Sequence, residues 1–370
     1  MNLTIKTLFG FEDILAEEVE ELGGTNIQKI TRGIKCEGTP EFLYRANLSL
    51  RVALKILVPV YSFKAKNEKE LYDRMMDFDW SHFLDVDQTF AIDNVVFSEL
   101  FKHSKFVGLK AKDAIVDQFR NKYRRRPSID KDNPDVLINL HCANDYFTLS
   151  LDSSGEPLNQ RGYREQGHRA PMNEILAAGM VKLSGWKKGM PLVDPMCGSG
   201  TILVEAAMIA MGMPPNIKRK EFGFRTWPEF SPILWSRVKA EEESKMRKSA
   251  IDLTGLDIDP KAIALTRKSL GKIGLRREVR IREMDFREFK PLSDEGMIIT
   301  NPPYGERIGD DILDFYKSMG DAFKQNFQGF DAWMISSNKK ALKQIGLSYA
   351  ERMTLFNGPL ECDFCQYKLY

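Results

Sequence analysis

Short apolar runs alternate with segments of helical periodicity through the C-terminal half of the chain. The strand candidates are PLVDPMC, AIDLTGLDID, EVRIREMD, GMIITNPP, DAWMISS and CQYKLY. Helical spacing marks TILVEAAMIAMGM and PKAIALTRKSLGKIG, which lie between strand candidates. Continuous apolar strands separated by helices predict a parallel sheet with helices on both faces. We therefore expect an α/β fold with a doubly wound sheet in this half.

The N-terminal half has a mixed α and β pattern instead. Apolar residues recur at helical spacing between Phe11 and Leu22, and Gly23-Gly24 ends that pattern. The run VLINLHCANDYFTLSL predicts a hairpin, because two β-rich stretches flank an Asn-Asp turn. The polar segment 153–171, with its glycines, proline and arginines, is the best candidate for a domain boundary.

Composition narrows the class of protein. The chain has 370 residues, enough for two or three domains, with 43% hydrophobic and 29% charged residues and a net charge of +2. The N-terminus turns acidic instead of following the order of a signal peptide, and no apolar run is long enough to span a membrane. Five scattered cysteines indicate a reducing cytoplasm. The four histidines show no ligand spacing, so we expect no metal.

The stretch LVDPMCGSGTILVEAA has the form strand, glycine turn, helix. Gly198 and Gly200 allow a sharp turn and a close approach to a ligand. A dinucleotide-binding fingerprint would place a third glycine at 203, where this chain has Leu203, which opposes a nicotinamide-dependent reductase. The incomplete match favours a ligand without a pyrophosphate, such as S-adenosylmethionine. A tight turn of no function is the alternative.

Two further strand ends carry acids. In GLDIDPKAI, Asp259 before Pro260 predicts a helix cap, which leaves Asp257 to accept hydrogen bonds from ribose hydroxyls. The glycine loop lies unusually far upstream of Asp257 in the sequence. Residues 214–248 are therefore expected to be an insertion. In EMDFREF, Asp285 with Phe286 ends a third strand. Two interpretations of Asp285 remain open: a contact with adenine and an ordinary solvated acid of a loop.

The stretch IITNPPYGER ends a fourth strand and predicts the chemistry. The Asn301 side-chain oxygen and the Pro302 carbonyl could accept both N–H groups of an exocyclic base amine. Positive charge develops on that nitrogen as it attacks a sulfonium methyl, so fixed acceptors favour the transition state. Proline rings would hold the two acceptors in place. Tyr304 offers a ring for a base lifted from its stack, and Gly305 leaves room beside it.

Together, DPMCGSGT, GLDIDP and NPPYGER resemble amino-group methyltransferases that use S-adenosylmethionine. Further motifs narrow the resemblance to one family. They are LFKHSKFVGLKAKDAIVDQFR, RPSIDKDNPDV, LDSSGEPLNQRGYR, RAPMNEILAAGM, FRTWPEF and NGPLECDF. The whole chain is similar to THUMP-domain RNA methyltransferases of the bacterial RlmL type, which form N2-methylguanine in large-subunit ribosomal RNA. The linker departs from the family's frequent LHRRGYR at Asn159 and Gln160. The sequence contains no second methyltransferase domain of the kind fused in some members, so we expect no second modification.

The resemblance implies a ferredoxin-like domain (1–64), a THUMP RNA-binding domain (65–165) and a Rossmann-like methyltransferase domain (166–370). It implies target-base contacts, with a catalytic role, at Asn301, Pro302, Pro303 and Tyr304. Cofactor contacts are expected at Asp194, Pro195, Cys197, Gly198, Ser199, Gly200, Thr201, Asp257, Ile258, Asp285, Phe286 and Asn301. Cys197 has no histidine partner that would make it a nucleophile.

Candidate RNA contacts come from RNKYRRRP and from the linker. A basic run with an aromatic residue suits phosphates and an unpaired base, although a basic helix end is also an ordinary solvated terminus. The candidates are Arg120, Lys122, Tyr123, Arg124, Arg125, Arg126, Arg161 and Arg164.

The expected function is thus cytoplasmic RNA methylation at the N2 amine of a guanine in 23S ribosomal RNA. The substrate is naked RNA or a large-subunit assembly intermediate, and no membrane or metal is involved. One alternative is an N6-adenine methyltransferase acting on RNA or DNA, because NPPY alone does not distinguish the two bases. Another is a non-catalytic RNA-binding factor in ribosome assembly. The sequence leaves monomer and dimer open.

Overall fold

A computed structural model describes residues 1–164, 172–247, 251–304 and 311–370. The strands in these ranges are β1 (Asn2–Lys6), β2 (Thr25–Ile30), β3 (Gly33–Glu37), β4 (Lys55–Lys64), β5 (Thr89–Phe97), β6 (Ser128–Ile129), β7 (Val136–Ala143), β8 (Tyr146–Asp152), β9 (Leu192–Asp194), β10 (Leu253–Asp257), β11 (Val279–Glu283), β12 (Gly296–Thr300), β13 (Phe330–Ser336), β14 (Tyr349–Asn357) and β15 (Leu360–Lys368). The helices are α1 (Glu12–Glu21), α2 (Pro40–Ser49), α3 (Glu68–Asp77), α4 (Ser104–Tyr123), α5 (Glu174–Leu183), α6 (Thr201–Ala210), α7 (Pro232–Ser244), α8 (Pro260–Lys272), α9 (Ile312–Asn326) and α10 (Lys339–Leu342). None of these helices is both long enough and apolar enough to cross a bilayer.

One sheet, in the order β2-β3-β1-β4-β8-β7-β5-β6, runs through the first two predicted domains. Strand β4 joins them, because it pairs with β1 (Ile5 opposite Ile56) and with β8 (Leu57 opposite Asp152). The predicted helix and hairpin are confirmed as α1 and β7–β8. The proposed division at residue 64 falls at the last residue of the shared strand, and the division at 165 lies outside the described residues.

The second sheet has the order β11-β10-β9-β12-β13-β15-β14. Its strands from β11 to β13 are parallel, as predicted, whereas β15 and β14 form an antiparallel hairpin at one edge. Successive strand residues face opposite layers: Leu192 and Ile299 pack with α5, α6 and α8, while Val193 and Ile298 pack with α9. Sequence analysis missed β14, because this edge strand is largely exposed and mixes charged with apolar residues.

The insertion after α6 packs on the first domain. Helix α7 lies against α2, and the Tyr44 ring of α2 stacks on Phe224 with centroids 4.6 Å apart. The Arg45 guanidinium bridges to Glu241 and Glu242 of α7 at 2.7 and 2.5 Å. The insertion therefore connects the N-terminal region to the second sheet.

A buried ion pair fixes the linker that follows β8. Arg161 is only 2% exposed and contacts the Glu205 carboxylate of α6 and the main-chain carbonyl of Arg51. The Tyr163 hydroxyl donates to the other Glu205 oxygen at 2.9 Å. The predicted RNA contact of Arg161 is wrong, because a guanidinium enclosed by protein is out of reach of RNA.

We expect Glu205→Ala to lower the free energy of unfolding by about 3–5 kcal/mol, because it leaves the Arg161 charge buried without a partner. Urea unfolding followed by tryptophan fluorescence measures this loss. Asp13→Ala, which removes the exposed pair with Lys29, is the control and should cause no resolvable change. Equal effects of the two variants would contradict the role given to the buried pair.

Candidate active site

Parallel pairing brings the predicted strand ends together. Strands β11, β10, β9 and β12 are neighbours in that order, so their carboxyl ends lie along one edge. Strand β9 ends at Asp194, β10 at Asp257 and β12 immediately before Asn301, while β11 ends shortly before Asp285. The prediction that these ends lie side by side is confirmed.

The loop between β9 and α6 turns at two glycines with left-handed backbone. Gly198 has φ +54° and Gly200 has φ +76°, a region that costs other residues energy. A Cβ on Gly200 would lie 2.5 Å from the Thr266 side chain of α8. At Gly198 an added Cβ would meet open space, so the loop leaves room for a ligand there.

Asp257 braces this loop from the neighbouring strand. Its Oδ2 accepts from the Gly198 N–H and its Oδ1 from the Asp259 N–H, both at 2.9 Å. Asp259 caps α8 through the Lys261 N–H, which confirms the predicted cap. A carboxylate has about four lone-pair sites, so Asp257 retains capacity to accept from a ligand. Ile258 beside it is 71% exposed and offers an apolar surface at the same edge.

Asp194 lies beneath the loop. It is 1% exposed, and its Oδ1 accepts from the Thr300 hydroxyl at 3.0 Å and the Met196 N–H at 3.3 Å. The side chains of Pro195, Cys197, Thr201 and Phe286 are also buried. A direct cofactor contact through any of these five side chains stays a prediction.

Arg164 supports the loop from the linker side. Its guanidinium pairs with Glu174 at 3.0 Å and donates to the Thr201 hydroxyl at 3.0 Å. The Thr201 hydroxyl also lies 3.3 Å from that of Ser199, which is half-buried on the loop. These contacts engage Arg164 within the protein, and its RNA contact stays a prediction.

Asp285 is held by a neighbour on its own turn. It accepts from the Arg287 main-chain N–H and from the Arg287 guanidinium, with Nε 2.9 Å from Oδ1. These bonds lower the pKa of Asp285. Because the pair is solvent-accessible, a ligand could replace Arg287 without a large energetic loss.

The NPPY turn closes on itself. The Tyr304 hydroxyl donates to Asn301 Oδ1 at 2.5 Å and accepts from Asn357 Nδ2 at 3.3 Å. The Tyr304 ring packs against the core, and burial raises the pKa of its hydroxyl. The ring is therefore not free to stack on a base in this arrangement, and that role stays a prediction. Gly305 lies outside the described residues.

Four residues that support this turn were not predicted from the sequence. The Tyr316 hydroxyl of α9 donates to the Pro303 carbonyl at 3.2 Å and lies 2.8 Å from the Ser336 hydroxyl. Asn338 Nδ2 donates to the Tyr304 carbonyl at 3.2 Å. The same strand-end rule could have identified Ser336, the last residue of β13, and Asn338 just after it. Tyr316 and Asn357 carry no sequence signal, since only packing brings them here.

The predicted basic cluster surrounds the end of α4. Acids pair with three of its cations: Asp117 with Arg120, Asp79 with Lys122 and Asp87 with Arg125. The other members, Tyr123, Arg124 and Arg126, are exposed. Surface pairs of this kind are weak, so phosphates could compete with the acids, and the cluster stays a prediction.

We expect Asp194 to make stability depend on pH. Burial raises its pKa from 3.8 to about 7, Asp257 adds to the rise, and the Thr300 and Met196 donors oppose it. The folded state then holds this proton more tightly than the unfolded state, so the contribution of Asp194 to stability should fall as the pH rises from about 4 to about 7. Asp194→Asn, measured by urea unfolding across this range, should gain on wild type by up to about 4 kcal/mol. Parallel stability profiles would contradict the raised pKa.

Family models match three successive segments of the chain. They are an RlmL ferredoxin-like domain at residues 2–57, a THUMP domain at 65–152 and the methyltransferase domain described as RMKL-like at 161–366.

Relatives cover nearly the whole chain. A putative RNA methyltransferase of Synechocystis is 36% identical over 98% of this chain and 95% of its own length. A ribosomal RNA large subunit methyltransferase K/L of Syntrophotalea carbinolica is 35% identical over 95% of this chain, which spans only 51% of that protein.

Solved structures match over the full chain. A putative methyltransferase complexed with SAH has a TM-score of 0.90 at 28% identity, with 98% of that chain covered. A possible methylase from Clostridium difficile has a TM-score of 0.90 at 32% identity, also with 98% covered. A predicted N6-adenine-specific DNA methylase from Listeria monocytogenes has a TM-score of 0.90 at 27% identity, with 96% covered. The chain belongs to the family of RMKL-like methyltransferases with RlmL ferredoxin-like and THUMP domains.

Proposed function

We propose that the protein transfers a methyl group from S-adenosylmethionine to the N2 amine of a guanine in 23S ribosomal RNA. The observation that carries this proposal is the position of Asn301. Its side-chain oxygen lies at the end of β12, on the sheet edge that also carries the glycine loop and Asp257. An acceptor for an amine therefore lies next to a loop suited to the methyl donor.

The residues at this edge fit S-adenosylmethionine. Open space beside Gly198 would admit the methionine portion, Asp257 has lone pairs for ribose hydroxyls, and exposed Ile258 suits the adenine face. When bound, the cofactor supplies an electrophilic methyl group. Asp257 would orient it, since the carboxylate is itself fixed by two backbone N–H groups.

Asn301 and Pro302 act on the amine. Their oxygens would accept its two N–H groups and stabilise the positive charge that develops on nitrogen during attack. The Tyr304 hydroxyl takes up one of the two lone pairs of Asn301 Oδ1, which leaves the other to accept from the amine. The Pro303 carbonyl accepts a hydrogen bond from the Tyr316 hydroxyl, which holds the turn in place.

The transfer is direct. Cys197 lies in the glycine loop, but burial raises the pKa of its thiol and disfavours the thiolate that a nucleophile would need. After transfer, the amine can lose its proton to the local acceptors or to water. All five cysteines are free and buried, which fits the reducing cytoplasm we propose as the site of action.

An exposed face of the first sheet offers a surface for the RNA. Phe97, Ala143, Tyr146 and Lys64 are neighbours across β5, β7, β8 and β4, and Phe97 is 68% exposed. The His141 ring lies 6.1 Å from that of Phe97. Exposed aromatic rings on a sheet are suited to stacking with unpaired bases.

Two lysines supply charge near this face. Burial lowers the pKa of Lys6, and the charge of Lys35 lowers it further. The pKa of His141 is lowered mainly by its own burial and also by the charges of Lys6 and Lys35. Neither lysine forms an ion pair with a residue in the described ranges. RNA phosphates would supply the missing negative charge, which supports RNA as the partner.

We expect cells lacking the protein to lose one N2-methylguanine from 23S ribosomal RNA, as measured by nucleoside mass spectrometry. Wild type should restore it, whereas Asn301→Ala should not, because one acceptor for the amine is gone. Asn133→Ala, which changes an exposed asparagine of a loop in the first sheet, is the matched control and should restore it.

Other outcomes separate the alternatives. Loss of a methyladenine with unchanged methylguanines would support methyl transfer to an amine but show that the target base is adenine. Methylation of duplex DNA by the purified protein would indicate a DNA methyltransferase. Full complementation by Asn301→Ala would favour a non-catalytic assembly factor. Calorimetry with S-adenosylhomocysteine verifies that each variant retains its cofactor site.

A further inference from the structure

Three side chains form a cluster near the NPPY turn. Phe9 follows β1, Arg32 lies between β2 and β3, and Phe356 belongs to β14 of the catalytic domain. The Phe9 and Phe356 rings meet edge to face with centroids 5.6 Å apart, and the Arg32 guanidinium carbon is 5.9 Å from the Phe356 centroid. We call these three residues the Phe9 cluster.

The Phe9 cluster is connected to the acceptor through the main chain of β14. Phe356 precedes Asn357, whose Nδ2 lies 3.3 Å from the Tyr304 hydroxyl. That hydroxyl in turn donates to Asn301 Oδ1. Because consecutive strand residues face opposite sides of the sheet, an RNA strand would pass around the tip of the β14–β15 hairpin between the cluster and Asn301.

One carboxylate fixes the two loops that carry Phe9 and Arg32. Glu12 accepts from the Gly10 N–H at 2.8 Å and from the Arg32 N–H at 2.9 Å. Arg32 has φ +55°, a left-handed conformation that is unfavourable for arginine. Strain of this kind persists where the surroundings enforce it and is frequent at ligand sites.

The exposed side chains of the Phe9 cluster suit a single-stranded nucleic acid. Phe9 is 43% exposed, and Leu360 at the hairpin tip is also exposed. Arg32 is exposed, and its guanidinium has no ion pair within the described part of the chain. Apolar rings beside an unpaired cation match a strand that carries both base faces and phosphates.

We propose that the Phe9 cluster is a docking surface for the unpaired RNA nucleotides next to the methylated base. The ferredoxin-like domain would then position substrate directly at the site of transfer. This proposal rests on the proposed RNA methyltransferase function. The rings would stack on flanking bases, and Arg32 would neutralise a phosphate between them.

The test compares Phe9→Ala and Arg32→Gln with two controls of matched chemistry. Arg276→Gln removes a charge near the start of β11, at the opposite edge of the catalytic sheet, and Tyr370→Ala removes an exposed ring at the last residue. Each variant is assayed with a 23S RNA fragment for KM and kcat, and with a fluorescent unstructured RNA oligonucleotide for Kd. Binding of S-adenosylhomocysteine and the melting temperature are measured alongside.

We expect Phe9→Ala and Arg32→Gln each to raise the KM and Kd for RNA by about fivefold or more. Their kcat should stay within about twofold of wild type, because they remove binding that is equal in ground and transition states. Binding of S-adenosylhomocysteine should not change, and both controls should match wild type. Arg32 is exposed, so Arg32→Gln tests the surface even where Phe9→Ala unfolds.

Unchanged RNA affinity in both variants would overturn the docking surface. If wild type methylates no RNA fragment yet both variants lose oligonucleotide binding, the surface stands and the proposed function fails. If methylation proceeds normally in both variants, the function stands and the surface is wrong.

Discussion

The site depends on the parallel pairing of β10, β9 and β12. In a parallel sheet all strands finish at the same edge, so residues far apart in the chain become neighbours without any loop having to reach across. The bond between the Gly198 N–H and Asp257 fixes the spacing of two of these ends. The Thr300 hydroxyl on Asp194 fixes the third beneath them. Every role proposed for Asn301 follows from this placement.

The antiparallel hairpin completes the edge. Strand β15 runs opposite to β13, so the turn between β14 and β15 returns to the carboxyl end of the parallel strands. This is why Asn357 meets Tyr304. The turn at Asn301 is thus supported on one side by α9 and β13 and on the other by the hairpin. Such support would keep the proposed acceptors oriented for a base amine, which is the condition for electrostatic preorganisation.

The N-terminal and catalytic regions are tied together by contacts of several kinds. The aromatic stack of Tyr44 on Phe224, the Arg45 ion pairs and the buried Arg161–Glu205 pair all cross between them. A buried ion pair adds little net stability, because its desolvation offsets much of its attraction, but loss of one partner leaves an uncompensated charge. These contacts fix the position of the first sheet relative to the candidate active site.

The sequence by itself determined the parallel strands, the two glycines, the Asp259 cap and the alignment of Asp194, Asp257, Asp285 and Asn301, because apolar periodicity and turn residues are local signals. Tertiary structure alone decided the burial of Arg161, the closure of Tyr304 on Asn301 and the support from Tyr316 and Asn357. An arginine that binds phosphate and one that pairs with Glu205 have the same local sequence signature; only the position of α6 separates them. Burial and partner choice arise from packing between distant segments, and no local pattern encodes that packing.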